Sequence, residues 1–258
     1  MAEQNGGCPV QPRHVSVTTH HSPTSNERDE NHLRAFSFVY FVPFVGDTLP
    51  LRKPRVNQVE RKPVSNSPKR RVKMSARACV FIATSLDQFI ARSDGNLDWL
   101  DEANALVPPG EDCGYAEFMK SVDVLVMGRN TYEKVRTFGA WPYGETPVVV
   151  LSRNPIEFPD EMPAWVTHSA ETPVELHRRL SKEGAQKLYI DGGLTIQRFL
   201  RAGLIDELVI TVIPVLIGDG IPLFGSLPSD IRLTHRNTKA FDCGFVQSTY
   251  RVDSTERP

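Results

Sequence analysis

The chain has 258 residues, with 30 Lys and Arg against 31 Asp and Glu and 40% hydrophobic residues, the composition of an ordinary soluble protein. Its near-neutral total hides a division: residues 1–73 hold 12 basic and 6 acidic residues and residues 74–258 hold 18 and 25, so net charges of +6 and −7 sum to −1. Cys8, Cys79, Cys113 and Cys243 lie far apart with no C-x-x-C pair, which argues against a disulfide framework or zinc knuckle and for a reducing, cytoplasmic setting with no bound metal.

Residues 1–73 are rich in Pro, Ser, Asn, His and Arg and lack sustained periodicity. Such a segment cannot bury enough apolar surface to offset its ordering entropy, so a disordered basic tail is expected. The apolar run at 36–45 is too short to span a bilayer, is broken by Pro43, and lies too far from the start for an ordinary signal peptide. No membrane partner is expected from it. Lys69-Arg70-Arg71-Val72-Lys73 reads as a solvated linker rather than a nucleic-acid-binding cluster. Met74 follows directly, so translation is expected to start there, leaving 1–73 out of the native protein; an intact mass from the native host checks this.

From residue 78 the pattern changes. Cys79-Val80-Phe81-Ile82-Ala83 has the β-branched and aromatic content of a strand, and Asp94-Gly95 is a turn signal. Between them residues 84–91 read as a loop that places one carboxylate, Asp87, directly after a buried strand, where α/β sheets carry ligands. Residues 113–121 have helical spacing, with Tyr115, Phe118 and Met119 on one side. Residues 122–127 are a nearly continuous apolar run, as expected of a strand covered on both faces, and break at Gly128 into a helix over 130–136. A strand that turns through glycine into a helix suits a phosphate. The first helical turn presents unpaired N–H groups and a partial positive charge, Arg129 adds a full charge, and Thr131 adds a hydroxyl.

Residues 147–151 form the next buried strand, ending in Ser152-Arg153-Asn154-Pro155, and 165–167 a shorter one. Residues 172–184 carry helix punctuation: Thr172 as cap, Pro173 in the first turn, Glu175 three residues after the cap, and Gly184 just past the end. The strand at 187–190 is turned by Asp191-Gly192-Gly193-Leu194-Thr195 into a helix that runs to Arg201. This second strand-glycine-helix junction lets a backbone approach a diphosphate closely, although the spacing is not that of a Rossmann fingerprint. Residues 204–217 are long enough for a full strand before the turn at 218–220, and 231–235 and 244–250 alternate like half-exposed antiparallel strands. The whole predicts one α/β domain over 77–253, with a mostly parallel central sheet flanked by helices and an antiparallel C-terminal hairpin.

Five motifs occur here in a familiar order: Ile82-Ala83-Thr84-Ser85-Leu86-Asp87-x-Phe89-Ile90-Ala91; Asp94-Gly95-x-Leu97-Asp98-Trp99-Leu100; Val126-Met127-Gly128-Arg129-x-Thr131-Tyr132-Glu133; Asp191-Gly192-Gly193; and Leu204-Ile205-Asp206-Glu207-Leu208 with Pro214-Val215-x-x-Gly218-x-Gly220-x-x-Leu223-Phe224. Together they resemble the dihydrofolate reductase-like family, and more closely the stand-alone relatives of the C-terminal reductase domain of the bifunctional riboflavin-biosynthesis deaminase/reductase. The deaminase half has no counterpart, since H-x-E with P-C-x-x-C is absent.

The resemblance implies an NADPH-dependent oxidoreductase that passes hydride to a C=N or C=O carbon of a small heterocycle, of the 5-amino-6-(5-phosphoribosylamino)uracil reductase type. A dihydrofolate or pteridine reductase, or a non-catalytic nucleotide-binding dimeric module, is the alternative. On the cofactor side the resemblance implies Gly128, Arg129 and Thr131 at a phosphate turn, Ser152 and Arg153 at the 2′-phosphate, Gly192, Gly193, Leu194 and Thr195 at the diphosphate, and Ala83, Ile90 and Ala91 along the nicotinamide. On the substrate side it implies Asp87 or Asp98 as catalytic proton source and Trp99 and Thr211 as contacts, set against local roles as turn cap, helix cap and core. Two departures stand out: Gln88 replaces the usual glycine, and none of Asp112, Tyr115 or Glu117 matches the buried acid of folate reduction. A homodimer built through the C-terminal strands is also implied, with a small-molecule substrate and no nucleic acid.

Overall fold

Tyr189 and Ile190, neighbours in sequence, bury their side chains in opposite cores, which is the period-2 signature of a strand covered on both faces. The structure, a computed structural model, describes residues 75–253. The expectations for the tail, the apolar run at 36–45 and the basic cluster at 69–73 lie outside the described residues. In chain order the elements are β1 (Arg77–Ser85), β2 (Phe89–Ala91), α1 (Asp98–Asn104), α2 (Tyr115–Met119), β3 (Val124–Gly128), α3 (Arg129–Arg136), β4 (Val148–Leu151) and β5 (Val166–Ser169). There follow α4 (Pro173–Glu183), β6 (Lys187–Asp191), α5 (Gly193–Arg201), β7 (Ile205–Ile213), β8 (Ile221–Pro222), β9 (Leu233–Ala240) and β10 (Val246–Val252).

Eight strands form one sheet in the order β5-β4-β3-β6-β1-β7-β10-β9. From β5 to β7 all neighbours are parallel, while β10 runs antiparallel to β7 and β9 antiparallel to β10. This is the mostly parallel sheet with a C-terminal hairpin that the pattern predicts. On one face Val80, Ile82, Val126 and Ile190 pack with Leu176 and Leu180 of α4 and Ile196 and Phe199 of α5. On the other, Phe81, Met127 and Tyr189 pack with Tyr115 and Phe118 of α2 and Tyr132 and Val135 of α3. A third cluster gathers Trp99, Leu100, Ile213 and Phe245. The expected capping box on α4 is present, with the Glu175 N–H donating to Thr172 Oγ1 (3.3 Å), the Thr172 N–H donating to Glu175 Oε2 (2.9 Å), and left-handed Gly184 closing the helix.

Several features differ from the sequence reading. β7 ends at Ile213, because Pro214 has no N–H for the ladder. Left-handed φ values at Cys113 and Gly114, of 50° and 83°, delay the start of α2 to Tyr115. The hairpin strands run two residues later than expected at their starts, around a turn in which the Phe241 N–H donates to the Phe245 carbonyl. The loop after β1 is not bare: Phe89–Ala91 pairs antiparallel with Ile221–Pro222 as a separate two-stranded ribbon.

Candidate functional site

β3 and β6 are neighbours whose chains leave in opposite directions. From β3 the chain runs through α3 to β4 on one side; from β6 it runs through α5 to β7, beyond β1 on the other. The two helices pack on opposite faces of the sheet. Such a divergence opens a crevice at the carboxyl ends of the strands, where α/β sheets bind ligands. Both helices start there, behind Gly128 and Gly192, and neither has a side-chain cap, so the first-turn N–H groups face the crevice uncapped.

The two junctions interlock. A Cβ on Gly192, which has φ 84°, would collide with Thr131 Oγ1 of α3, and a Cβ on Gly128 would lie 2.8 Å from Thr195 Oγ1 of α5. Each helix thus pushes a threonine hydroxyl against the other junction's glycine. Gly193 is equally confined, since a Cβ there would lie 2.9 Å from Ile90 Cδ1 and 3.3 Å from the Pro222 carbonyl of the ribbon.

A cavity of about 700 Å³ occupies the crevice. Ala83 of β1 and Ile90 and Ala91 of β2 form an apolar wall; Gly128, Arg129 and Thr131 come from the first junction. Ser152 and Arg153 follow β4, and Gly192, Gly193, Leu194 and Thr195 come from the second junction. Every position that the resemblance assigns to a cofactor lines this one space. Arg129 is nonetheless engaged: its Nε donates to Ser152 Oγ (3.0 Å), and one Nη donates to the carbonyls of Asn154 (2.8 Å) and Pro155 (2.6 Å). Ser152 Oγ itself donates to the Asn154 carbonyl at 2.7 Å. Arg129 therefore braces the turn that carries Arg153, which is exposed and has no ion pair among the described residues.

Asp87, Asp98, Trp99 and Thr211, expected beside the substrate, are not among the residues that line the cavity. Asp87 accepts hydrogen bonds from Ser85 Oγ (2.6 Å) and from the N–H groups of Gly218 (2.8 Å) and Ile217 (3.3 Å), and these hold its carboxyl below the usual carboxylate range. It fastens the loop after β1 to the loop after β7. Asp98 accepts from Arg92 Nε at 2.7 Å, a bond that likewise lowers its pKa, and its side chain is half exposed. Trp99 is 3% exposed inside the third core cluster. Thr211 is buried and accepts from Gln247 Nε2 at 3.0 Å. Gln88 adopts φ 68°, the left-handed conformation that the absent glycine would take at no cost.

One residue that the sequence presents only as part of a turn takes a larger role. Asp191 ends β6, is 3% exposed, and lines the cavity. One carboxylate oxygen accepts from the Gly192 N–H (2.8 Å) and the other, Oδ2, has no hydrogen-bond partner. Burial pushes its pKa up to about 7, against the lowering effect of the Gly192 N–H. The phenol of Tyr115, buried and also unpartnered, is pushed up by burial and then by the charge of Asp191, so it stays a proton donor. The signal in the sequence is an acidic residue at the end of a doubly covered strand, two residues after Tyr189 and so on the same side of the strand. Among the described residues no group of three or more His, Cys, Asp and Glu is placed to hold a metal, and no helix is long and apolar enough to cross a membrane.

Residues 78–247 match the family model of the RibD C-terminal domain. The Bacillus subtilis (strain 168) protein YwjB is 37% identical over 171 residues, covering 65% of this chain and 94% of its own. A crystal structure of a Shewanella sp. PV-4 protein, whose name provisionally assigns it to riboflavin biosynthesis, aligns with a TM-score of 0.65 at 42% identity, over 69% of this chain and 99% of that one. The Thermotoga maritima diaminohydroxyphosphoribosylaminopyrimidine deaminase/5-amino-6-(5-phosphoribosylamino)uracil reductase aligns with a TM-score of 0.53 at 16% identity, over 70% of this chain and 58% of that one, a likeness of fold.

Proposed function

The chain belongs to the RibD C-terminal domain family, of riboflavin-biosynthesis reductase type, and we propose that this member is an NADPH-dependent oxidoreductase acting on a small heterocyclic substrate. The substrate proposed is of the 5-amino-6-(5-phosphoribosylamino)uracil kind. The observation that carries the reading is the convergence of both glycine junctions, the Ser152-Arg153 turn and the Ala83-Ile90-Ala91 wall on one cavity that also holds a buried acid.

The residues fit such a cofactor. Gly192 and Gly193 leave backbone open where any Cβ would collide, the two uncapped helix starts supply N–H donors for phosphate oxygens, and Arg153 offers a free guanidinium to a 2′-phosphate dianion. When bound, NADPH supplies a hydride to the acceptor carbon. The chain's own part is positional and protonic. Ala83, Ile90 and Ala91 keep water from the wall they form, and Asp191 holds a proton on Oδ2, the oxygen that no protein donor occupies. A carboxyl with a pKa of about 7 is partly protonated at neutral pH and can pass that proton to the heteroatom next to the reduced carbon. We therefore place the proton source at Asp191 rather than at Asp87 or Asp98.

The reading extends to a homodimer through the C-terminal strands, supported by exposed Leu233 and Val246 on a hairpin whose outer strand is a sheet edge, and to a cytoplasmic setting, supported by free thiols at Cys79, Cys113 and Cys243. The test is loss of reduced-nicotinamide absorbance with purified protein, NADPH and a panel of pyrimidine, pteridine and quinone acceptors. Oxidation coupled to a pyrimidine is expected. Tight NADPH binding with no acceptor reduced would favour a non-catalytic module instead, and no binding would sink the reading.

A further inference from the structure

Arg129 is the cation that a strand-glycine-helix phosphate turn would be expected to use, yet its guanidinium is committed to Ser152 and two backbone carbonyls. Those partners are neutral, so they fix the group in place without cancelling its charge, and a diphosphate carrying more than one negative charge calls for further cations beside it. Besides Arg153, two other cations line the same cavity, Lys134 of α3 and Arg198 of α5. Neither has an ion pair among the described residues, and the nearest carboxylate in sequence, Glu133, is held by Arg136 Nη1 at 3.1 Å.

Their positions repeat one another. The first junction reads Gly128, Thr131, Lys134 and the second Gly192, Thr195, Arg198, each with a glycine, a threonine three residues on and a cation three residues further. Residues three apart share a helix face, so each cation stands about one turn behind the threonine that is pressed against the opposite glycine. Because α3 and α5 lie on opposite faces of the sheet, the two cations reach the crevice from opposite sides. Asp191, buried and with Oδ2 unpartnered, lines the same crevice.

From this geometry we infer that Lys134 and Arg198 form a two-sided clamp on the diphosphate of the bound dinucleotide, while Arg129 acts as a positioning residue for the turn that carries Arg153. The inference rests on the dinucleotide reading above and adds to it the residues that neutralise the diphosphate. It separates two kinds of recognition. A diphosphate clamp serves NADPH and NADH alike, whereas a guanidinium at the 2′-phosphate serves NADPH alone.

The experiment titrates wild type, Lys134→Gln, Arg198→Gln, the double variant and Arg153→Gln with NADPH, NADH and inorganic pyrophosphate, with thermal melting as the folding control. Each clamp variant is expected to weaken NADPH and NADH by the same factor, about tenfold, and to weaken pyrophosphate with them. The salt dependence of NADPH binding should fall in the double variant, and Lys134→Arg should restore affinity. Arg153→Gln should weaken NADPH alone. If Lys134→Gln or Arg198→Gln weakens NADPH and leaves NADH unchanged, that cation belongs to the 2′-phosphate and the clamp is overturned; no change for either ligand overturns it as well. Should wild type bind neither dinucleotide yet lose pyrophosphate binding in the double variant, the dinucleotide reading and the clamp on it are both overturned, and what remains is a pyrophosphate site.

Discussion

The two strand-glycine-helix junctions solve the same backbone problem with opposite chemistry. At the end of β3, Gly128 has an ordinary extended conformation, φ −87° and ψ 166°, and the next residue is a cation that braces a neighbouring turn. At the end of β6, Gly192 has φ 84° and the residue before it is a buried acid with a free oxygen. The first junction tolerates side-chain adjustment; the second is confined from both its backbone and its neighbour. The comparison shows one local motif used twice across a switch point, once followed by a cation that anchors a turn and once preceded by a buried acid.

The largest test of that contrast is alanine at the two glycines. Gly192→Ala must place a Cβ in a left-handed backbone and against Thr131, so a loss of dinucleotide affinity above about a hundredfold is expected, with about 2 to 4 kcal/mol of destabilisation by urea titration. Gly128→Ala meets only the tip of Thr195, which can rotate, and should cost no more than about tenfold in affinity. Equal losses would break the asymmetry.

Next comes Asp191→Asn, which keeps an acceptor for the Gly192 N–H and removes the proton. Turnover is expected to fall about a hundredfold or more, while NADPH affinity moves less than about threefold. In wild type, turnover should decline as pH rises through about 7, where the acid ionises. Stability carries the same sign. The folded carboxyl binds its proton more tightly than the unfolded one, so its contribution is full below about pH 4, fades as pH rises towards 7, and is absent above. The amide of the variant is neutral throughout, so its urea midpoint relative to wild type should rise between about pH 4 and about pH 8. A flat difference would remove the buried acid from the comparison.

Two smaller effects sharpen it. Asp98→Ala breaks an exposed pair with Arg92 and should change stability by less than about 1 kcal/mol and turnover by less than about threefold. Gln88→Gly relieves a left-handed side chain and should stabilise the fold by about 1 kcal/mol in the same titration.

The residues that line the cavity are legible in the sequence because each group is local: a strand end, a glycine and the first turn of a helix fall within a few residues of one another. Asp191 is visible there and easily misjudged for the opposite reason. Its burial depends on β1 and β3 pairing to either side of β6 and on α2 packing over that face, none of which the Asp-Gly-Gly run reports. Asp87 likewise looks free in the sequence, because the N–H groups that occupy it belong to residues 217 and 218, far along the chain from its own loop. Arg129 reads only as a phosphate cation, and its second role as an anchor is hidden; its partners at 152, 154 and 155 become near only when β4 lies against β3. The strand that stops at Ile213 reads longer from its apolar content, which continues past Pro214, than the ladder allows.

The placement of β6 between β3 and β1 has a consequence for how the molecule is made on the ribosome. β1 is synthesised first, yet the central neighbour that joins it to β3, through pairs such as Arg77 with Lys187, emerges 110 residues later (187 minus 77). Until then β3, β4 and β5 can pair among themselves while β1 waits with both edges bare, a contact order that favours slow maturation and chaperone engagement. The cavity draws on both glycine junctions, so it is completed only after β6 and α5 have joined the sheet, and no shorter nascent chain carries it.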